Sequence, residues 1–558
     1  MPAEASGRNG TAWNLQEEKL AVNCEGLGEF QSIIRSLIHN LILCVCLGGE
    51  IISNTQSRPT TAMKKFFSLF TPPYSMPVFH PLHVQWALVL LLWVLGLLLY
   101  LPKNDYPRAI VFDETYLIPN AQSYINGVFF QDSHPPLGRL FIALGQFLRH
   151  PQNPSNEFVH VSKIEEDWPK DIEISGYRLF PAIFGTINPL LVFGIVMILT
   201  KNEWVSLFSG LAVLLDNALL TQSRYALTDS ILIAFCLGAI LCFVLLQASH
   251  VPPGSRERTI WIVFGALAGA AFMVKFTGLF VLAVVPFYLY KLWRTGNRVK
   301  TVEFLLLAGL AFLIVFILVW KIHFSLLRFP PLTFDQPITE AHVKIVEGIY
   351  RPDPFQRFWI ELTDAYRYMF EYHKNVPALD LSKPDEIGSP WYFWPFGGRA
   401  ISYRWESGSG YLKIIYLLGN PVTWFISLLG VIAASATVIA DALVKFLHPG
   451  QRQRLYPFVC LYWIYMIPVM WISRVMYLYH YLPPLIIGII LFGILFVDIL
   501  SIPRNIKPRI LFATILCIAV LFWLYSPFTY YNEISYEHFD RLNIWPVWDL
   551  QCPNCQIQ

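Results

Sequence analysis

Long runs without Asp, Glu, Lys or Arg recur along the chain, and a helix that crosses a bilayer needs about 20 mostly apolar residues. Eleven stretches meet this pattern: 84–101, 179–200, 205–222, 230–249, 259–274, 276–290, 304–320, 414–440, 455–473, 475–497 and 510–532. The third is interrupted by Asp216, and the sixth is short and follows the fifth almost directly. Eleven spans put the two termini on opposite sides, and the charges of the short connections give the orientation. With the N-terminus in the cytoplasm, the cytoplasmic connections carry Lys201; Arg256 and Arg258; Lys291, Arg294, Arg298 and Lys300; Lys445, Arg452 and Arg454; and Arg504, Lys507 and Arg509. The short connections of the other face hold one cation each, Arg224, Lys275 and Arg474. Two long connections, 102–178 and 321–413, then lie on that outer face, where loops on a rigid scaffold carry function.

Inside the first long connection, Pro135 and Pro136 precede Leu137, Leu140, Phe141, Leu144, Phe147 and Leu148. Prolines at the start and an apolar face at helical spacing predict an amphipathic helix on the membrane surface. Three regions are expected: an N-terminal extension over 1–62, a transmembrane domain over 63–532, and an outer tail over 533–558. Ile33 to Ile52 is broken by Arg35, His39 and Glu50, and the extension before Met63 is expected to be dispensable or a misassigned start.

Composition agrees with a bilayer as the solvent: 55% of residues are hydrophobic and only 14% charged, against about 25% in soluble domains. The chain is therefore expected to be an all-α polytopic membrane protein. A net charge of +3 gives no basis for a nucleic-acid partner. Eighteen Trp and 27 Tyr suit interface anchors, with room for a sugar-stacking cleft. Cys236, Cys242, Cys460 and Cys517 sit in apolar runs, where a thiol is a small core hydrophobe. Cys552 and Cys555 form a CPNC pair open to a disulfide, half a zinc knuckle or no role.

Candidate chemistry gathers in three places. Asp113-Glu114 follows the first span by some ten residues, and adjacent carboxylates among apolar neighbours are costly unless they bind or react; the alternative is a solvated pair or a helix cap. A carboxylate can take the proton of an attacking hydroxyl. His134 could bond a phosphate or sugar, or could cap the helix after Pro135. Arg178, Arg224, Lys275 and Arg474 mark the outer ends of spans. Such cations snorkel to headgroups, or they neutralise the phosphate of a lipid carrier.

Seven segments in order resemble the protein O-mannosyltransferases: FDE at 112–114, HPPLGRL at 134–140, YRLFPAIFG at 177–185, DNALLTQSRYALTD at 216–229, VKFTGLF at 274–280, SPWYFWP at 389–395 and YLYHYLPP at 477–484. The resemblance runs from about residue 84 to 532 and implies a GT-C membrane glycosyltransferase that moves mannose, with inversion, from a polyprenyl (dolichyl-type) phosphate to Ser or Thr hydroxyls of exported proteins. It implies Asp113 as the catalytic base or an acceptor-positioning carboxylate, with Glu114 as its neighbour in the acidic motif. It implies a substrate-binding set of His134, Arg178, Gln222, Arg224, Asp229, Lys275, Trp391, Trp394, Tyr479, His480 and Tyr481. Eukaryotic members carry a MIR module between the seventh and eighth spans, and the roughly 90 residues there are too few for one, so the expected type is bacterial, in the plasma membrane. No cofactor or metal is required, although Asp113 and Glu114 could join a divalent cation. The expected partners are the lipid-linked donor, an exported protein acceptor, the bilayer and a homo- or hetero-oligomer. The alternatives are a sugar transferase acting on lipid A or another envelope glycan, and a membrane transporter.

Overall fold

The computed structural model describes residues 82–150, 156, 172–248, 254–331, 338–383, 386–500, 502–503 and 505–550. The N-terminal extension, Arg504 and the Cys552/Cys555 pair lie outside these residues. Apolar runs become helices in chain order: α1 (Leu82–Tyr100), then α2 (Glu114–Asn126) and α3 (Leu137–Arg149) within the first long connection. There follow α4 (Leu179–Thr200), α5 (Glu203–Leu214), α6 (Asn217–Arg224), α7 (Asp229–Gln247), α8 (Ser255–Val274), a 3-10 turn over Phe276–Val284 leading into α9 (Val285–Arg294), and α10 (Arg298–Leu326). The second long connection holds α11 (Glu340–Val346), α12 (Pro354–Asn375) and a hairpin of β1 (Ile401–Gly408) and β2 (Tyr411–Leu417). The chain ends in α13 (Pro421–Val444), α14 (Pro449–Met470), α15 (Leu482–Asp498), α16 (Lys507–Tyr530) and α17 (Tyr536–Leu542).

Among the described residues nine helices are long and apolar enough to cross a membrane, and ten if α5 and α6 are one bent span. The predicted third span is that pair, bent by 56° at Asp216. The bend has a chemical cause. Asp216 caps α6 by accepting from the Leu219 amide at 3.0 Å, and it also accepts from the Asn420 amide at 2.9 Å and Trp424 Nε1 at 3.0 Å. A buried carboxylate with three donors stops one helix and starts the next. The expected ninth span, which is not among those ten, is α14, whose tyrosines, prolines and polar first turn lower its apolar character. It still runs the length of the bundle: Arg454 near its start bonds Leu199 O and Asp498 at one end, and Arg474 beyond its finish lies at the other. The expected eighth span is corrected at its start, because Ile414–Leu417 belongs to β2 and the helix begins at Pro421 after its cap Asn420. Strand-favouring Ile-Ile-Tyr-Leu reads as apolar as a helix, and periodicity alone does not separate the two.

The most enclosed helices are α7 and α15, each 83% buried over its apolar window, while α1 is only 17% buried. α15 packs on α13, α14, α4 and α5, so it sits in the centre, and the exposed apolar faces of α1, α10 and α16 form the rim. α3 forms as expected, exposing Leu144, Phe147 and Leu148 and burying Arg139, Ile142 and Gln146. It is pinned to the start of α4 by a close backbone approach: a Cβ on Gly145 would meet Gly176 O at 2.4 Å. The β1–β2 hairpin is antiparallel from Ile401↔Leu417 to Gly408↔Tyr411, with its register broken between Ser402 and Arg404. Tyr403 is therefore the extra residue of a bulge.

Candidate active site

Both long connections close over one end of the bundle, and most of the candidate residues meet there. The -VFDE- turn is built first. Glu114 opens α2 and is fully buried, and it accepts four hydrogen bonds: from Arg178 Nε and Nη2, each at 2.7 Å, from the Val111 amide at 3.0 Å and from the Ala226 amide at 2.8 Å. Arg178 is equally enclosed, and its remaining N–H groups donate to the carbonyls of Asn104, Pro107 and Ala109, so all five donors are used. Its guanidinium also lies 5.0 Å from the Tyr225 ring centre. This pair locks the first long connection onto α4 and α6, and it offers a substrate no free donor.

Arg224 follows the same logic. Nη1 donates to Leu99 O and Tyr100 O, and Nη2 to Pro102 O and Lys103 O, with the charge 4.8 Å from the Tyr530 ring. These carbonyls belong to the end of α1 and the turn after it, where a helix leaves its last acceptors unpaired and favours a cation. Two of the four outer cations expected at a phosphate are thus spent on the protein's own backbone. Sequence shows the charge but not the carbonyls that fold back to it.

Asp113 is different. Although it occupies the cap position of α2, its side chain makes no capping bond, and no hydrogen bond or ion pair to its carboxylate is found among the described residues. Burial pushes its pKa up to about 6; Lys275 and Arg139 pull it down, and Asp229 and Asp132 push it up. The preceding Phe112 has φ of +52°, a strained conformation for a bulky residue, which turns the Asp113 segment into the site. Phe112 is stacked flat on Tyr403, with ring centres 4.3 Å apart, and its amide donates to Tyr403 O at 3.2 Å.

Opposite lies a chain of polar groups. Lys275, the last residue of α8's C-terminal turn, pairs with Asp229 at 2.7 Å and stands 5.2 Å from the Tyr479 ring. Gln222 donates to the other oxygen of Asp229 at 2.7 Å and accepts from the Tyr403 hydroxyl. Tyr477, Tyr479 and His480 form a near-parallel stack, with Tyr479 and His480 only 4.5 Å apart. Arg474 sits beside this stack as the least committed of these cations: among the described residues its guanidinium makes only a 3.5 Å approach to Val475 O, weak by hydrogen-bond criteria.

The remaining expected residues divide. His134 makes no cap, since Pro136 holds that position; its Nδ1 is buried without a partner, and its ring faces His373 at 5.4 Å. Burial, then Lys275 and Arg139, holds His134 well below its ordinary value, so it is neutral. Trp391 is partly exposed and lines an outward cleft of about 730 Å³ including its mouth, with Tyr392 and Arg474. Trp394 is fully buried, bonds Ser389 O at 3.0 Å and stacks on His480 at 6.0 Å, so it backs the site instead of facing it. Tyr481 points away into the core, against Trp424 and Tyr462. Sequence reasoning did not reach Tyr403, His373, or the Arg139–Asp132 pair. Arg139 lies inside a quoted segment, whereas Tyr403 sits in a hairpin with no motif to mark it. Among the described residues no group of three or more His, Cys, Asp or Glu side chains is arranged to hold a metal.

Comparisons with known proteins agree with this architecture. Residues 90–331 match the family dolichyl-phosphate-mannose-protein mannosyltransferase, and residues 358–548 match the C-terminal four TMM region of protein-O-mannosyltransferase. Protein O-mannosyl-transferase 1 of Rattus norvegicus is 32% identical over 271 residues, which is 46% of this chain and 36% of that protein. Dolichyl-phosphate-mannose--protein mannosyltransferase 6 of Candida albicans is 26% identical over 253 residues, 43% of this chain and 30% of that one. The chain thus spans about a third of the length of these curated relatives. The fold matches a chain of the S. cerevisiae protein O-mannosyltransferase Pmt1-Pmt2 complex bound to the sugar donor, with a TM-score of 0.72, 16% identity, and coverage of 89% of this chain and 95% of that one. With its GT-C bundle and two family matches in register over most of its length, the chain belongs to the protein O-mannosyltransferase family.

Proposed function

We propose that this chain transfers mannose from a polyprenyl-phosphate donor to a Ser or Thr hydroxyl of an exported protein, by a single displacement at the non-cytoplasmic face. The observation that carries this reading is Asp113, a carboxylate with no hydrogen-bond partner among the described residues, poised near neutrality beside Lys275. In the reaction the acceptor hydroxyl gives its proton to Asp113 as its oxygen attacks the anomeric carbon. The bond from that carbon to the phosphate oxygen breaks, and the electron pair leaves with the phosphate, which gains one negative charge. Lys275, which lies against the Tyr479 ring, and Arg474, near Tyr477 and His480, are the cations available to stabilise it. Asp229 holds Lys275 in place through their ion pair, while Glu114 and Arg178 position the turn that carries Asp113.

The cation-rich short connections gather at the far end of the bundle from Asp113, and this asymmetry supports an active end facing away from the cytoplasm. The yeast complex holds the sugar donor and joins two protomers, which supports a donor-bound state and pairing with a second chain here. The reading assigns no step to a metal, so chelation of divalent ions is expected to leave turnover unchanged.

The test is transfer by the purified protein in lipid nanodiscs, from polyprenyl-phosphate-mannose to a Ser/Thr peptide, followed across pH. The base must be ionised to act. Its pKa of about 6 predicts that kcat/KM falls about tenfold per pH unit below pH ~6 and levels off above it. Absence of transfer to any hydroxyl peptide, or an acid limb centred near pH 4, counts against the reading.

A further inference from the structure

We infer that Tyr403, the bulged residue of the second long connection's hairpin, is a positioning residue that couples the base segment to the cation of the site. The inference rests on the transferase reading and extends it to a side chain that contributes to neither bond made nor bond broken. Three independent features converge on this residue. The bulge leaves Tyr403 out of the strand ladder, between the pairs Ser402↔Tyr416 and Arg404↔Ile415, and bulges re-aim side chains beside active sites. Its carbonyl, free of the ladder, accepts from Phe112, and its ring covers the Phe112 ring at an interplanar angle of 5°. Its hydroxyl begins the relay Tyr403 to Gln222 to Asp229 to Lys275, which crosses from the hairpin to α6, the start of α7 and the end of α8.

The ring therefore restrains the left-handed residue that precedes Asp113, and the hydroxyl fixes the orientation of the Gln222 amide. An amide has a donor end and an acceptor end. With Tyr403 donating to its oxygen, Gln222 can only present its NH₂ to Asp229, which leaves the other Asp229 oxygen for Lys275. Without that hydroxyl the amide is held at its NH₂ end alone, by Asp229, and the Asp229–Lys275 pair loses its tie to the hairpin that carries Tyr403. Because Lys275 lowers the pKa of Asp113 and Asp229 raises it, loosening the relay alters the balance between these two opposing influences. Lys275, Asp229, Arg139 and Asp132 are the charged groups that act on Asp113, and the relay reaches the first two.

Tyr403→Phe keeps the stack and removes only the hydroxyl; Gln222→Leu keeps Tyr403 and removes the middle link. Each is expected to lower kcat/KM about tenfold and to displace the acid limb of the pH profile, a change that loss of packing alone does not produce. Wild-type kcat/KM with an unmoved limb in both variants overturns the inference. Should Tyr403→Phe fail to fold, Gln222→Leu decides in the same way. Asp113→Asn measured alongside separates the two levels: if it is inactive while the relay variants behave as wild type, only the coupling role falls, and if it remains active the transferase reading falls with it.

Discussion

Asp113→Asn is expected to reduce transfer by about 10²–10⁴-fold, the range for loss of a general base, while leaving the protein folded and the donor lipid bound. The expectation follows from the carboxylate's isolation. No neighbour depends on it for a hydrogen bond, so the amide removes a reactive group without orphaning a buried one. The sign of the pH linkage points the same way. Its pKa is raised on folding, from 3.8 to about 6, so the neutral form is the one the fold favours, and that contribution is lost as pH rises through about 6. Asparagine avoids the ionisation. Thermal unfolding of the variant at pH 7.5 is expected to be no lower than wild type, with the difference closing toward pH 4. A variant that loses transfer together with fold or donor binding would mean that Asp113 is structural.

Arg178→Ala is expected to show the opposite profile, a loss of about 3–5 kcal/mol in stability, because it strands the fully buried Glu114 with an uncompensated charge. Besides the two bonds to Glu114, three main-chain carbonyls of the first long connection lose their donor. The segment from Asn104 to Ala109 loses its anchor, and Asp113 loses its position with it. Replacing both partners, Arg178→Met with Glu114→Leu, is expected to recover a large part of the stability but not the activity, since a matched apolar pair satisfies the packing without holding the turn. Unfolding temperatures in detergent measure both. A single-variant loss under 1 kcal/mol would show that the pair is not what locks the loop.

The membrane architecture was legible because each span must carry its own run of apolar residues. Errors fell where tertiary contacts override that rule. Asp216 breaks a span because Asn420 and Trp424, some two hundred residues away, supply donors to it. β2 reads as the start of a helix because strand and helix share the same apolar residues there. The site was legible as a set of residues but not as a set of roles. Asp113 and Glu114 are adjacent, yet one is free and the other accepts four bonds, a difference created by Arg178 and by the Val111 and Ala226 amides. Arg224 and Lys275 likewise look equivalent as outer cations. One caps α1, and the other faces the aromatic stack. Tyr403 carried no sequence signal at all, because its importance comes from a register break that only the paired strand reveals.

The most direct test is the anomeric configuration of the mannose in product made by the purified wild-type protein from a donor of known configuration, read by NMR. A single displacement driven by Asp113 predicts that every transferred sugar is inverted relative to the donor. A product that keeps the donor's configuration would require a double displacement or a front-face substitution and would contradict the single displacement assigned to Asp113.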